Sequence, residues 1–204
     1  MNIFVITDTH FYHENIKKYE NRPDNFNEIL ISNWNKVVKW DDIVIHLGDI
    51  IFGLNKHEKL KPLMASLNGK KILAIGNHDY KTWDFYLQNG FDFACDYFVY
   101  RNVAFSHAPI TPLPPQSQTN HSTPVDFNVH GHFHRGRHRS PDNNPDYKDD
   151  YYDYKYWHAN KDKYIHMQIE DELRPFSLEE VLARKSVEFA KVGDDNRKEK
   201  DGKK

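Results

Sequence analysis

The first half of the chain contains three predominantly apolar runs, at residues 2–6, 43–47 and 71–75, in which the polar residues are Asn2, His46 and Lys71. Continuous rather than alternating apolarity is typical of strands that are buried on both faces of a sheet. Between these runs, residues 26–38 and 60–67 place apolar side chains three and four positions apart, as on one face of a helix. Strands that alternate with helices predict βαβ units and a largely parallel sheet.

The second half of the chain is richer in strand-like segments. Its apolar pattern predicts strands at residues 97–101, 102–106, 126–129 and 164–169. Ser177 and Glu180 have the spacing of a capping box, so a helix should begin there. We therefore expect a second, more mixed sheet that packs on the first.

Composition and charge limit the class of protein. A chain of 204 residues with 38% hydrophobic content suits one globular domain, which we place at residues 1–192. Within it, residues 135–161 are expected to form an insertion or loop, and the charged tail at 193–204 is expected to be disordered.

The partner classes follow from the same numbers. The net charge of −2 gives no broad attraction for nucleic acid, and no apolar run is long enough to cross a membrane. The start of the chain lacks the pattern of a signal peptide, and the single Cys95 fits a reducing compartment, so we expect a cytoplasmic protein. No obligate nucleic-acid partner is evident, and the oligomeric state stays open.

Polar clusters follow five of the predicted strands. The residues concerned are Asp8 and His10, Asp49, Asn77 and His78, His107, and His132 and His134. In open α/β sheets, ligands bind beyond the carboxyl ends of the strands, so these clusters should meet along one edge. Taken singly, each cluster could be an ordinary turn or a helix cap; taken together, they predict a binding site.

Without His78, the clusters offer two carboxylates, one amide oxygen and four imidazoles. Mixed nitrogen and oxygen ligation suits manganese, iron, zinc or nickel rather than calcium, and the donor types alone do not separate these four metals. Our expectation is manganese. Seven donors exceed the four that one tetrahedral ion needs, but they could serve two ions if one carboxylate bridges. Two metals about 3.5–4 Å apart can clamp the attacking and leaving oxygens of a phosphoester displacement.

The five motifs together resemble those of the calcineurin-like metallophosphoesterases. In order, they read Asp8-Thr9-His10, Gly48-Asp49, Gly76-Asn77-His78-Asp79, Ser106-His107 and Gly131-His132-Phe133-His134. The resemblance implies an α/β fold, a four-layer α/β/β/α sandwich of two mixed sheets flanked by helices. It also implies a dinuclear, metal-dependent phosphoester hydrolase.

The resemblance further implies a role for each residue. Asp8, His10 and His134 would hold the first metal, Asp49 would bridge, and Asn77, His107 and His132 would hold the second. A metal-bridging hydroxide would be the nucleophile. His78 would protonate the leaving oxygen or contact the phosphoryl group, and Asp79 would orient its imidazole. Asn77, His78 and His13 are the candidate substrate contacts, although His13 could equally begin a helix.

Two departures narrow the resemblance. The Ser/Thr protein phosphatases carry an acidic-Arg pair soon after Gly-Asp and a glutamate after Gly-Asn-His. Here Ile50 and Ile51 follow Asp49, and Asp79 replaces the glutamate. The sequence therefore favours a phosphodiesterase-like member that acts on a small phosphoester or nucleotide-type substrate. The alternatives are a non-catalytic scaffold for protein binding and a nuclease.

The other histidines are expected to have structural or surface positions. His46 and His130 should lie in the core or beside the ligands. His57, His121, His138, His158 and His166 are expected at the surface or in loops.

Overall fold

The structure is a computed structural model that describes residues 1–111, 113, 125–134 and 161–184. Its first sheet has five strands. They are β1 (Ile3–Ile6), β2 (Ile43–His46), β3 (Lys70–Ala74), β4 (Phe93–Cys95) and β9 (Phe176–Ser177). The spatial order is β4-β3-β2-β1-β9, in which β1 to β4 are parallel and β9 is antiparallel to β1.

The second sheet has four strands. They are β5 (Tyr97–Tyr100), β6 (Val103–Ser106), β7 (Phe127–His130) and β8 (Tyr164–His166). These strands are arranged in sequence order, with β5 and β6 antiparallel and β6, β7 and β8 parallel. Two mixed sheets with helices confirm the predicted α/β class.

The parallel strands end in register. In the first sheet, Ile6 at the end of β1 pairs with His46 at the end of β2. In the second sheet, Ser106 at the end of β6 pairs with His130 at the end of β7. Residues that follow these strands therefore emerge at the same edge of their sheet.

Helices connect and cover the sheets. They are α1 (Ile16–Tyr19), α2 (Phe26–Val37), α3 (Leu60–Ser66), α4 (Trp83–Gln88) and α5 (178–184), with 3₁₀ helices at Leu54–Lys59 and Lys161–Lys163. The predicted apolar stripe of α2 is confirmed, because Phe26, Leu30 and Trp34 are all buried. None of the helices in the described part of the chain has the length and apolar character needed to span a bilayer.

One continuous apolar core links both sheets. Val5 and Val44 of the first sheet and Phe105 and Val129 of the second belong to the same buried cluster. The core holds the two sheets in a fixed relation, and this relation positions their strand-end loops against one another.

The capping box at the start of α5 forms as predicted. The backbone N–H of Ser177 donates to Glu180 Oε2 at 2.6 Å, and that of Glu180 donates to Ser177 Oγ at 3.2 Å. The sequence pattern did not reveal that Ser177 and Phe176 also form β9 against β1. The predicted insertion at 135–161 and the tail at 193–204 lie outside the described residues, apart from position 161.

Candidate metal centre

The predicted ligands meet where the strand ends of the two sheets face each other. Three loops come from the first sheet, after β1, β2 and β3, and two from the second, after β6 and β7. Asp8 and His132 illustrate the convergence, because the backbone N–H of His132 donates to Asp8 Oδ2 at 3.0 Å across 124 positions of sequence. All seven predicted ligands lie in this region: six form two groups of three, and Asp49 lies between the groups.

The first group consists of Asp8, His10 and His134. Asp8 Oδ1 lies 3.9 Å from His10 Nε2 and 3.7 Å from His134 Nε2. The two imidazole rings stack, with their centroids 5.1 Å apart. Asp8 Oδ1 is buried and accepts no hydrogen bond from the described residues. A buried, unpaired carboxylate oxygen is costly, so its position between two imidazole nitrogens fits a cation.

The second group consists of Asn77, His107 and His132. His107 Nδ1 donates to the carbonyl oxygen of Leu47 at 2.8 Å, so its Nε2 carries the lone pair in the neutral ring. That Nε2 lies 2.8 Å from Asn77 Oδ1, and His132 Nδ1 lies 3.0 Å from both atoms. His107 Nε2 and Asn77 Oδ1 are both acceptors, and two acceptors 2.8 Å apart repel unless a proton or cation lies near them. This donor set therefore also fits a metal.

Asp49 lies between the two groups. Its Oδ2 is 3.5 Å from His10 Nε2 in the first group and 3.5 Å from His107 Nε2 in the second. Asp8, Asp49 and His107 each offer a ligand atom within 4.8 Å of the others. The Oδ1 of Asp49 accepts the backbone N–H of His78 at 2.9 Å, which fixes the orientation of the carboxylate.

Burial and like charge perturb the acids of the site. Burial raises the pKa of Asp49 well above its usual range, and the carboxylates of Asp8 and Asp79 raise it further. Burial also acts to raise the pKa of Asp8, but the imidazoles of His134, His107 and His10 outweigh it and lower the pKa overall. Two carboxylates enclosed together therefore call for positive charge, which a divalent cation supplies.

The backbone at the ligands is unusual. Five of the seven have positive φ angles, namely Asp8 (49°), His10 (46°), Asp49 (57°), His132 (73°) and His134 (45°). Residues other than glycine seldom adopt this conformation, and such residues cluster at functional sites. Hydrogen bonds between loops hold it here: the N–H of Asp8 donates to Gly48 O at 3.0 Å, and that of His10 donates to Asp49 O at 2.9 Å.

Two glycines allow the loops to approach. A Cβ at Gly76 would lie 2.5 Å from the backbone nitrogen of Asp49 and would overlap its carboxylate. A Cβ at Gly131 would overlap the Thr7 hydroxyl and the carboxylate of Asp8. Each glycine therefore leaves room for a carboxylate of the neighbouring loop that is a predicted metal ligand.

The role expected for Asp79 needs correction. Its Oδ2 accepts the backbone N–H groups of Asp49 at 2.7 Å and Gly76 at 2.9 Å, and its Oδ1 accepts that of Ile50 at 3.1 Å. Within the described residues, its carboxylate makes no hydrogen bond to the ring of His78. The buried carboxylate of Asp79 thus links the loop after β3 to the loop after β2 through backbone N–H groups. It positions Asp49 rather than the imidazole of His78.

His78 lies at the accessible side of the centre. Its side chain is 43% exposed, and its Nε2 is 4.0 Å from Asp49 Oδ2. Phe52 packs edge-on against the ring, with centroids 5.0 Å apart. Burial, followed by the imidazoles of His107 and His132, lowers the pKa of His78.

His13 lies near His78, because both rings pack against those of His10 and Phe52. Its ring is 5.6 Å from that of His10 and 3.9 Å from that of Phe52, and the residue is buried. Burial, together with His78 and Lys56, lowers the pKa of His13 to about 4, so the ring is neutral at pH 7. The structure thus brings His13 to the edge of the centre, three residues before the start of α1.

His46 supports the first loop, as expected of a residue beside the ligands. Its Nδ1 accepts the N–H of Gly48 at 3.1 Å, and its Nε2 therefore donates to the Thr9 hydroxyl at 2.9 Å. His57 was expected at the surface or in a loop; it instead lies buried in a 3₁₀ helix, with its Nε2 paired with the Tyr80 hydroxyl at 2.6 Å. His130 is buried as expected, whereas His166 is half-buried and stacks on it. His121, His138 and His158, which were also expected at the surface or in loops, lie outside the described residues.

Two residues that the motifs do not include also reach the site. Arg22 donates to the backbone carbonyls of Asp8 and Thr9, and Glu170 accepts a hydrogen bond from His134. Burial acts to lower the pKa of His134, but the carboxylates of Asp8 and Glu170 outweigh it and raise the pKa to about 9. No sequence pattern singled out these two residues, since a lone arginine and a lone glutamate far apart in a chain give no signal of their pairing.

Comparison with known proteins agrees with this geometry. A family model described as calcineurin-like phosphoesterase matches residues 1–188. The uncharacterized protein MJ1445 of Methanocaldococcus jannaschii is 49% identical over 81 residues, which make up 38% of this chain and 46% of that protein. The chain therefore matches less than half the length of this curated relative.

Two solved structures are similar to the chain. A protein of unknown function from Aquifex aeolicus, AQ665, aligns with a TM-score of 0.59 and 26% identity, covering 88% of this chain and 97% of that one. The nuclease MPE of Pseudomonas putida aligns with a TM-score of 0.43 and 18% identity over 65% of this chain and 61% of that one, which is too low to support an inference. The family match spans all five strand-end loops, and the protein therefore belongs to the calcineurin-like phosphoesterase family.

Proposed function

We propose that this protein hydrolyses phosphoesters with two divalent cations and prefers diesters to monoesters. One observation carries the proposal: Asp49 Oδ2 lies 3.5 Å from an imidazole nitrogen of each ligand group. A single carboxylate placed between two donor sets is the arrangement that two neighbouring cations require. Asp8, His10 and His134 would hold one cation, and Asn77, His107 and His132 the other.

When bound, the two cations would supply an acidified water as nucleophile and neutralise charge on the phosphoryl oxygens. Mixed oxygen and nitrogen donors suit manganese, our expectation, with iron, zinc or nickel as the other candidates. The donor atoms are held in place before the cations bind. The positive φ angles of the strand-end loops and the hydrogen bonds of Asp79 fix their positions.

His78 is the candidate acid for the leaving oxygen. Its ring is partly exposed, and its backbone N–H is tied to Asp49, so it faces the entrance at a fixed distance from the bridging carboxylate. Its lowered pKa favours the neutral ring in the free protein. The negative charge of a bound phosphoester would favour the protonated ring, which can then donate to the leaving oxygen.

His13, His78 and Asn77 are the candidate substrate contacts. The ring of His13 and the ring of Phe52 lie side by side, next to His78. This arrangement offers a neutral donor and an apolar wall to the group that is attached to the phosphate. A small phosphoester or a nucleotide-type substrate suits such a surface.

Two features favour a diester over a monoester. A monoester carries a second negative charge, which calls for an additional cationic group. No arginine follows Gly48-Asp49 directly: the next two residues are Ile50 and Ile51, and both are buried. The guanidinium of Arg22 is engaged with the carbonyls of Asp8 and Thr9.

The test combines metal analysis with two model substrates. Purified protein is treated with EDTA, titrated with Mn²⁺, and assayed with bis-p-nitrophenyl phosphate and p-nitrophenyl phosphate. We expect hydrolysis only with added metal and a higher kcat/KM for the diester. Asp49→Asn is expected to abolish hydrolysis and reduce metal occupancy, while Glu172→Gln, a substitution of an exposed carboxylate, serves as the matched control.

Each negative result has a distinct meaning. A protein that binds metal but cleaves neither ester would point to the scaffold alternative, in which the fold serves protein binding. Cleavage of DNA or RNA at a higher kcat/KM than the small diester would point to the nuclease alternative. Faster hydrolysis of the monoester would overturn the proposed diester preference.

A further inference from the structure

Arg22 and Glu170 form an ion pair whose side chains are both fully buried. Arg22 Nη2 donates to Glu170 Oε1 at 2.8 Å, across 148 positions of sequence. A buried ion pair is costly to desolvate and is weak evidence for stability in itself. Its position directly behind the first ligand group suggests a functional reason for the pair.

Glu170 determines which nitrogen of His134 faces the metal site. Its Oε1 accepts a hydrogen bond from His134 Nδ1 at 2.8 Å. The opposite nitrogen, Nε2, is thereby directed to Asp8 Oδ1, which lies 3.7 Å away. A carboxylate that accepts the second N–H of a ligating histidine fixes its tautomer and raises its basicity as a ligand.

Arg22 holds the other side of the same group. Its Nη1 donates to the carbonyl oxygen of Thr9, and its Nη2 to that of Asp8, each at 2.7 Å. Asp8 has a φ of 49°, which a residue with a Cβ adopts only when its surroundings impose it. The rigid fork of a guanidinium suits two adjacent carbonyls, so Arg22 stabilises the backbone conformation that presents the Asp8 carboxylate.

We propose that Arg22 and Glu170 act as one positioning unit for the first metal-binding group. Glu170 Oε1 contacts both Arg22 and His134, so the two ligands that come from distant parts of the chain, Asp8 and His134, are held by one buried pair. This inference rests on the proposed function, because it assigns the pair to the metal site of that function. Both side chains are fully buried, so the pair is assigned a positioning role and not a contact with substrate.

The decisive variant is Glu170→Gln, which keeps the size of the side chain and removes its charge. Isothermal titration of the metal-free protein with Mn²⁺ should show about a 10–100-fold weaker affinity at the first site, the usual cost of losing such a partner. Glu172→Gln removes an exposed carboxylate two residues away and should bind Mn²⁺ as the unmodified protein does. Equal affinities for Glu170→Gln and Glu172→Gln would overturn the proposal.

Arg22→Lys tests the second half of the unit. Lysine keeps the charge but cannot bridge two carbonyls and a carboxylate in one plane, so affinity should again fall by about 10-fold or more. The matched control is Arg174→Lys, which alters an arginine paired with Glu172 and Glu180 near the surface. An Arg22→Lys variant with unchanged Mn²⁺ affinity would show that the guanidinium does not position Asp8.

A spectroscopic measurement on the unmodified protein tests the proposal even if the variants fail to fold. With Zn²⁺ bound, long-range ¹H–¹⁵N correlation should show His134 protonated at Nδ1, with a low-field proton that reports its hydrogen bond to a carboxylate. A ring protonated at Nε2 instead would overturn the proposal, whatever the variants do. If the unmodified protein binds neither Mn²⁺ nor Zn²⁺, the proposed function itself fails, which is a distinct outcome from metal binding that is insensitive to Glu170.

Discussion

Gly76→Ala is expected to disrupt the metal centre through a single added methyl group. The Cβ would lie 2.5 Å from Asp49 N, about 0.9 Å short of the 3.4 Å at which ordinary contact begins, and 3.0 Å from Asp49 Cγ. The φ of Gly76 is not in the left-handed region, so the effect comes from this contact and not from backbone strain.

The structure sets the size of the effect. Asp49 must move by close to 1 Å, and metal–ligand distances tolerate only about 0.2 Å. A misplacement of about 1 Å can cost on the order of 10²-fold in rate, so we expect kcat/KM for bis-p-nitrophenyl phosphate to fall by about that factor. Overpacking should also lower the free energy of unfolding by about 1–3 kcal/mol.

Gly69→Ala separates lost stability from lost metal binding. Gly69 directly precedes β3, at the end of the strand away from the predicted metal ligands. It has a φ of 85°, and a Cβ there would lie 2.9 Å from Val38 Cγ1. Urea unfolding should show a loss of stability in both variants, with kcat/KM reduced only in Gly76→Ala. Mn²⁺ affinity and kcat/KM of Gly76→Ala within about threefold of the unmodified protein would show that the added methyl group does not displace Asp49.

Three further substitutions test other parts of the centre. His78→Ala should lower kcat by about 10²–10⁴-fold, the range for general acid–base groups, while Mn²⁺ binding measured by titration is retained; loss of both metals would show that His78 is a ligand. Asp79→Asn should lower the free energy of unfolding by about 1–3 kcal/mol, because its amide cannot accept all three backbone N–H groups, and chemical denaturation without metal would measure this; unchanged stability would refute the assigned contacts. Glu170→Gln tests a pH dependence. Burial acts to raise the pKa of Glu170, but His134 and Arg22 lower it to about 2 from 4.5, so its contribution to the stability of the metal-free protein is complete above pH 4.5 and is lost as the pH falls through 2. The difference in unfolding free energy between Glu170→Gln and the unmodified protein should therefore shrink between pH 5 and pH 2, and a constant difference would contradict the assignment.

The convergence of the polar residues at the strand ends could be predicted because their signal is local. Strands β1, β2 and β3 are predominantly apolar, and the polar residues that follow them, such as Asp8 and Asp49, stand at their carboxyl ends in the sequence itself. Parallel pairing then places those ends at one edge, as the register of Ile6 with His46 shows. The resemblance to the family supplied the division of these residues into two groups.

The features that escaped prediction depend on contacts between distant segments. The short strand β9 exists because Phe176 and Ser177 pair with β1, although their sequence pattern indicates the start of a helix. Asp79 follows His78 in sequence, yet its carboxylate is directed to the backbone of Asp49 and Ile50. The ion pair of Arg22 and Glu170 joins opposite ends of the chain, so neither residue stands out locally.

Anomalous X-ray diffraction from crystals grown with Mn²⁺ would locate the bound cations directly. A dinuclear centre should give two peaks about 3.5–4 Å apart on either side of the Asp49 carboxylate. One peak should be bounded by Asp8, His10 and His134, and the other by Asn77, His107 and His132. A single peak, or two peaks that do not share Asp49, would contradict the dinuclear centre.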